Sequence, residues 1–189
     1  MRIIAGIAKG RKLQAVPGKD TRPLTDRVKE SLFSILQPEM GEARILDLYS
    51  GSGAFVIEAV SRGAAKGVCV ERSRLAAEVC RTNVQTVGFG GRISVVQADV
   101  ASWAKAASHS SEPDDIVFAD PTFLDLNDPA SSFFALLSQL SALTAPEGIV
   151  VIRTHERVAP PQVPGMGLER SREIGISTLH FYRHQGATK

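Results

Sequence analysis

Short apolar runs alternate with segments of helical periodicity along most of this 189-residue chain, and that alternation leaves few folds open. The runs fall at residues 45–49, 67–71, 93–97, 115–119 and 148–153. They are almost continuously apolar, as strands covered on both faces must be; a strand with one wet face would alternate. Helical patterns fill 53–62, a stretch capped by Ser73 that runs towards Val87, then 100–107 and about 129–143. Repeated βα units of this kind build a parallel sheet with helices on both sides. Right-handed crossovers then bring the loops after the strands to one edge, where ligands bind. The tail offers two further strands, 168–174 and 177–182, so close together around Gly175 that they must form a hairpin. At least one strand is therefore antiparallel. Polar or Pro/Gly-rich connections are expected at 109–113 and 159–167.

Upstream of this pattern, residues 2–6 and 12–16 read as two short strands joined through 6–10, followed by a loop over 17–23. Thr25 or Asp26 can cap a helix with Val28, Leu32, Ile35 and Leu36 on its apolar face, ending before Pro38. The division this suggests is a small extension over 1–23 and a main domain over 24–189, a size suited to one α/β core. No apolar run approaches a membrane span and no signal-peptide pattern opens the chain, so the expected compartment is the cytoplasm. Cys69 and Cys80 sit among apolar residues and read as buried thiols; two cysteines and four scattered histidines offer no zinc site. No heptad or apolar surface stripe argues for more than a monomer. Residues 1–30 carry eight Lys/Arg against three Asp/Glu, a net +5, which leaves −3 for the rest of a chain of formal charge +2. A basic head on a slightly acidic body suits a polyanion approached from one side, and equally a solvated polar hairpin.

The first central strand runs into Asp47-Leu48-Tyr49-Ser50-Gly51-Ser52-Gly53. Gly51 and Gly53 allow a tight turn that brings backbone close to a ligand at a helix N-terminus. A dinucleotide fingerprint would place a third glycine where Val56 stands. Asp47 would repel a pyrophosphate and attract the ammonium and sulfonium of S-adenosylmethionine, which favours that methyl donor over NAD. Glu71 ends the next strand at the spacing at which a carboxylate takes ribose hydroxyls, and this fits either cofactor. Asp99 ends the third strand, beside Val100, where a side chain can receive an adenine amine. Each acid alone could simply cap a helix. Three of them on successive strand ends face one crevice, and with Tyr49, Ser52 and Arg72 they form the candidate cofactor site.

The fourth strand closes on Asp120-Pro121-Thr122-Phe123. The Asp120 carboxylate and the Pro121 carbonyl can both accept hydrogen bonds from an exocyclic amine, and Phe123 can lie on the ring that bears it. Such a clamp suits a nucleobase, and beside a methyl donor it suits N-methylation by in-line displacement. Hydrogen bonds with a charged partner contribute about 1.5–3 kcal/mol, and base stacking about 1–3 kcal/mol. The bland reading is a strand-end turn with Asp120 capping and Phe123 in the core.

Several segments together resemble the bacterial 16S ribosomal RNA guanine-N2 methyltransferases of the RsmD type. They are Arg2-Ile3-Ile4-Ala5-Gly6, Gly10-Arg11-Lys12-Leu13, Thr21-Arg22-Pro23-Leu24-Thr25-Asp26-Arg27, Leu46 to Ala54, Ser61-Arg62-Gly63-Ala64 and the clamp. The resemblance spans nearly the whole chain. It implies a Rossmann-like, seven-stranded class I S-adenosylmethionine-dependent methyltransferase fold, mostly parallel, with a C-terminal antiparallel hairpin and a small N-terminal β-hairpin extension. It implies S-adenosylmethionine as cofactor and 16S ribosomal RNA, within an assembling small ribosomal subunit, as partner. By position, Asp47, Gly51 and Gly53 would hold the methionine end of the donor, Glu71 the ribose, and Asp99 with Val100 the adenine. Asp120, Pro121 and Phe123 would hold the guanine. Arg2, Lys9, Arg11, Lys12, Arg22 and Arg27 would meet phosphates, with Arg22 alternatively packing against the clamp loop as the extension folds over the active-site edge.

One position departs from the pattern. The family clamp reads Asp-Pro-Pro and then an aromatic residue, and here Thr122 replaces the second proline. Threonine restores a backbone N–H and releases φ, so the loop is expected to be less preorganised and the enzyme weaker. On that reading Thr122→Pro holds or raises turnover. Two alternatives stay open: the same clamp serves the N6 amine of adenine in DNA or RNA, and a weakened RNA-binding homologue would keep the fold without turnover.

Overall fold

In the computed structural model, which describes residues 1–18, 24–109, 112–128 and 130–185, the apolar runs become strands close to where the sequence places them. They are β1 (Arg44–Leu48), β2 (Lys66–Glu71), β3 (Ile93–Gln97), β4 (Asp114–Ala119), β5 (Thr144–His155), β6 (Met166–Ile174) and β7 (Ser177–His184). The helices are α1 (Asp26–Leu36), α2 (Ala54–Ser61), α3 (Arg74–Thr86), α4 (Val100–Ala107), α5 (Phe123–Asn127), α6 (Ser132–Leu137) and α7 (Leu140–Leu143). One sheet has the order β3-β2-β1-β4-β5-β7-β6. Strands β1 to β5 pair in parallel, and β7 runs antiparallel to both β5 and β6. The order reverses between β1 and β4, so the loops after these two strands diverge and open a crevice at the carboxyl edge.

Two apolar layers hold the sheet. One joins α1, α2 and α3 to one face through Leu32, Phe33, Phe55, Val56 and Phe118. The other joins α4, α6 and α7 to the opposite face through Leu46, Val117, Phe133, Leu136 and Ile152. Thr25 caps α1 by accepting from the Val28 N–H, and Ser73 caps α3 by accepting from the Ala76 N–H.

The single helix expected over 129–143 is instead α6 and α7, with a separate α5 before them; Pro129 lies outside the described residues. Serine explains the break. The Ser138 hydroxyl donates to the Ala135 carbonyl at 2.8 Å, and the Gln139 N–H tightens onto the Leu136 carbonyl at 2.8 Å, which ends the α-helical ladder. Strand β5 begins earlier than residue 148 because its pairing with β4 is irregular there, jumping from Asp114↔Thr144 to Ile116↔Ile149.

The expected N-terminal hairpin is reduced to a single bridge, Arg2↔Lys12. Ile3 and Leu13 N–H bond across it to the Arg11 and Met1 carbonyls at 3.0 Å, but other donors of the turn go to α2. Ile4 and Ala5 N–H donate to the two Glu58 carboxylate oxygens at 2.8 and 3.0 Å, Ile7 N–H to the Ser61 carbonyl at 2.8 Å, and Ala8 N–H to the Ser61 hydroxyl at 3.0 Å. The extension thus docks on α2, all of whose residues are buried. Gly6, at φ 82°, sits so close that a Cβ there would fall 1.7 Å from the Ser61 carbonyl oxygen.

Candidate active site

The turn after β1 is tight because two donors share one acceptor: Tyr49 and Ser50 N–H both bond the Val70 carbonyl at 3.1 Å. Tyr49 is held at φ 71°, strained for a residue with a Cβ. Gly53 caps α2 at φ 76°, and a Cβ there would lie 2.5 Å from Cys80 Sγ, so nothing larger than glycine fits. The Gly51 N–H donates to Glu71 Oε2 at 2.9 Å, and the Ser73 N–H to Glu71 Oε1 at 2.7 Å. Glu71 therefore ties the glycine turn to the start of α3. Asp99 caps α4 by accepting from the Ser102 N–H at 2.9 Å.

Asp47, in β1, is buried, and its Oδ1 has no hydrogen-bond partner; Tyr49 Oη and Ser50 Oγ are likewise buried and unpartnered. Burial pushes the Asp47 carboxyl well above the usual range, with Cys80, Asp120 and Glu71 adding to the shift. A carboxyl that resists ionisation until a positive group arrives is what a cationic ligand requires. Burial also pushes the Tyr49 phenol up.

Asp120 follows the last ladder residue of β4 and turns into the same space. Its Oδ2 is 2.7 Å from Nη1 of Arg153, a buried arginine on β5 whose Nε donates to Ser177 Oγ at 3.3 Å. Pro121 is buried. Thr122 caps α5 through a reciprocal box: its N–H and hydroxyl donate to Asp125 Oδ2 at 3.0 and 2.6 Å, and the Asp125 N–H donates to its Oγ1 at 3.2 Å. The restored N–H is thus used to fix the loop, and the expectation of a looser clamp does not follow from it. Phe123 is 54% exposed and meets the His155 ring edge-on at 6.1 Å between centroids.

These elements enclose a cavity of about 380 Å³. Asp47, Tyr49, Gly51, Ser52, Glu71, Arg72, Asp99 and Val100 line it, as do Asp120, Pro121 and Thr122; Gly53 and Phe123 are not among its lining residues. Met1, Val16, Pro17 and Gly18 of the extension close one side. Asn83 anchors that side, donating to the Gln14 and Ser52 carbonyls at 3.0 and 2.9 Å. Among the described residues no group of three potential metal ligands forms.

The basic head is less open than its composition suggests. Arg2 pairs with Asp26 at 3.1 Å, and Arg11 donates to the Val87 carbonyl at 3.0 Å and to that of Thr86, closing the end of α3. Lys29 is fully buried, bonded to the Arg2 carbonyl, 3.4 Å from Asp26 and 4.0 Å from Glu58. Lys9, Lys12 and Arg27 are exposed, and Arg22 lies outside the described residues. Sequence reasoning missed Arg153, Asn83 and Asp125. A lone arginine in the apolar run Ile149-Val150-Val151-Ile152-Arg153, and the Thr-x-x-Asp spacing at 122–125, were the available signals.

Comparison with known proteins agrees with this architecture. The family model described as Conserved hypothetical protein 95 matches residues 1–183. The ribosomal RNA small subunit methyltransferase D of Escherichia coli K12 is 38% identical over 186 residues, covering 98% of this chain and 90% of its own. A tRNA1(Val) (adenine(37)-N6)-methyltransferase of Shewanella loihica is 30% identical over 119 residues, covering 55% of this chain and 49% of its own. A solved structure, the methyltransferase yhhF of Escherichia coli, superposes with a TM-score of 0.80 at 29% identity and 98% coverage of both chains. The strand order and these likenesses identify a class I methyltransferase fold.

Proposed function

From the premise that this chain belongs to the Conserved hypothetical protein 95 family, that of the RsmD-type methyltransferases, we propose that it methylates the exocyclic N2 amine of a guanine in 16S ribosomal RNA. S-adenosylmethionine, when bound, supplies an electrophilic methyl group. The residues present suit it. The unpartnered Asp47 Oδ1 and Ser50 Oγ suit a polar, cationic group, and Gly51, with open space where a side chain would stand, admits close backbone approach. In this reading Asp47 and the 51–53 turn hold the methionine end, Glu71 the ribose, and Asp99 with Val100 the adenine.

The observation that carries the proposal is that Asp120 and Pro121 open onto the cavity that also holds Asp47, Glu71 and Asp99. Two acceptors there can take the N–H groups of an aromatic amine, whose lone pair is otherwise delocalised into its ring. Phe123, exposed and next in sequence to Thr122 of the cavity wall, would have to turn inward to cover the base. The chain's own contribution is chiefly alignment, which can supply about 7–11 kcal/mol of a barrier. The exposed Lys9 and Lys12 of the extension and Arg27 of α1 would meet the RNA backbone within an assembling small subunit, a role also proposed for Arg22. That substrate belongs to the bacterial cytoplasm, and no helix among the described residues is long and apolar enough to cross a membrane.

The partial likeness to an adenine-N6 tRNA methyltransferase keeps one competitor in view, since the same acceptors fit that amine. Small subunits lacking their own modification would be incubated with isotopically labelled S-adenosylmethionine and digested to nucleosides. Labelled N2-methylguanosine is the expected product. Labelled N6-methyladenosine, or no labelled nucleoside, would overturn the proposal.

A further inference from the structure

We propose that Arg153 is a positioning residue for the base-binding carboxylate, holding Asp120 through a partly buried ion pair that is itself anchored on Ser177. The inference rests on the reading of Asp120 as an amine acceptor. It begins from a cost: a guanidinium that is 3% exposed persists in an α/β core only if it is paired. Two specific contacts hold it, Nη1 to Asp120 Oδ2 at 2.7 Å and Nε to Ser177 Oγ at 3.3 Å.

The pair is not needed to join its strands. Four successive register pairs, Ile116↔Ile149 to Ala119↔Ile152, already zip β4 to β5. Arg153 and Asp120 come next, where β4 leaves the sheet and its side chain turns into the cavity. A charge-assisted hydrogen bond at this point fixes which way the carboxylate faces. An ionised carboxylate has about four acceptor sites, so one oxygen can bond Arg153 while the group still accepts from an amine. Asp47, Glu71, Asp99 and Asp125 line the same cavity, four further carboxyls beside Asp120. A cation placed behind Asp120 offsets that crowding without occupying the substrate's space, since Arg153 does not line the cavity. The clamp is thereby fixed from two directions, by Arg153 on Asp120 and by the Thr122–Asp125 box beyond Pro121. The chain lacks the rigid second proline, and these contacts replace its effect with side-chain bonds.

The test measures methyl transfer to small subunits at saturating donor, with donor binding by calorimetry counting active sites. Arg153→Met should lower kcat about tenfold or more while KM for the subunit changes less than about threefold. Arg153→Lys, which keeps the charge without the fork, should recover about threefold or more of that loss. In an Asp120→Asn background the same Arg153→Met change should cost less than about twofold, because the pair is already broken. Should Arg153→Met fail to fold, Ser177→Ala removes only the outer anchor and should lower kcat by about two- to fivefold. A folded Arg153→Met with turnover within about threefold of the parent, an equal loss in the Asp120→Asn background, or an unaffected Ser177→Ala where that variant is needed would each overturn the inference. If the parent protein yields no N2-methylguanosine, both the functional reading and this inference fall. If the parent is active and Arg153→Met is not impaired, only this inference falls.

Discussion

Asp47 shows how one residue's surroundings set what its side chain can do. Its type and place were legible in the sequence, as an acid inside an apolar strand before a glycine turn. Its burial and its unpartnered oxygen were not, because they depend on Cys80, Asp120 and Glu71 arriving from other elements. The sign of its titration makes a prediction. Burial raises the carboxyl's pKa, so Asp47 takes up a proton at higher pH than a free carboxyl does, and a cationic donor favours its ionised form. Donor affinity should therefore fall as pH falls, with proton release on binding that calorimetry detects in buffers of different ionisation enthalpy. Asp47→Asn should weaken donor binding by about tenfold or more and flatten the pH dependence, since a hydrogen bond to charge is worth about 1.5–3 kcal/mol. Unchanged affinity and slope would remove Asp47 from the donor site.

At the scale of elements, periodicity located β1 to β4 and α2 to α4 within a residue or so, because each has enough local pattern to declare itself. It failed over 120–143, where short helices are fixed by side-chain bonds that no period reports. The capping box at Thr122 is the clearest case. Read from the sequence, threonine in place of proline loosens the loop; in the structure its N–H and hydroxyl both bond Asp125. Thr122→Ala should cost about 0.5–2 kcal/mol, as loss of an N-cap does, and Thr122→Ser should be nearly neutral. Thermal or chemical denaturation measures both. Thr122→Pro is now expected to lower stability and not to raise turnover. The observed φ of −68° suits proline, but the change strips Asp125, a buried carboxyl, of both donors.

For the whole molecule, the extension and the methyltransferase sheet share one apolar layer, in which Ile3, Ala8 and Leu13 pack with α1 and α2. Docking on α2 uses Glu58, Ser61 and Lys29 as internal fasteners, so the +5 of residues 1–30 overstates the charge offered outward. If the extension faces RNA as proposed, the exposed Lys9, Lys12 and Arg27 would meet its phosphates. Each should contribute about 0.7–0.9 to the slope of log affinity against log salt. Replacing all three with alanine should reduce the slope of small-subunit or rRNA binding by about 2–3, and donor affinity should stay constant. An unaltered slope would move the RNA to another face.

The sequence by itself determined the strand and helix pattern, the glycine turn with its three acids, and the acid-proline end of β4, since each is written in neighbouring residues. Only the tertiary structure decided which charges are spent internally and which face the cavity. Arg153 meets Asp120 across 33 residues of chain, and the Ile4 and Ala5 N–H groups meet Glu58 across 54 and 53. Burial sets the worth of such contacts, and burial is a property of the folded chain as a whole.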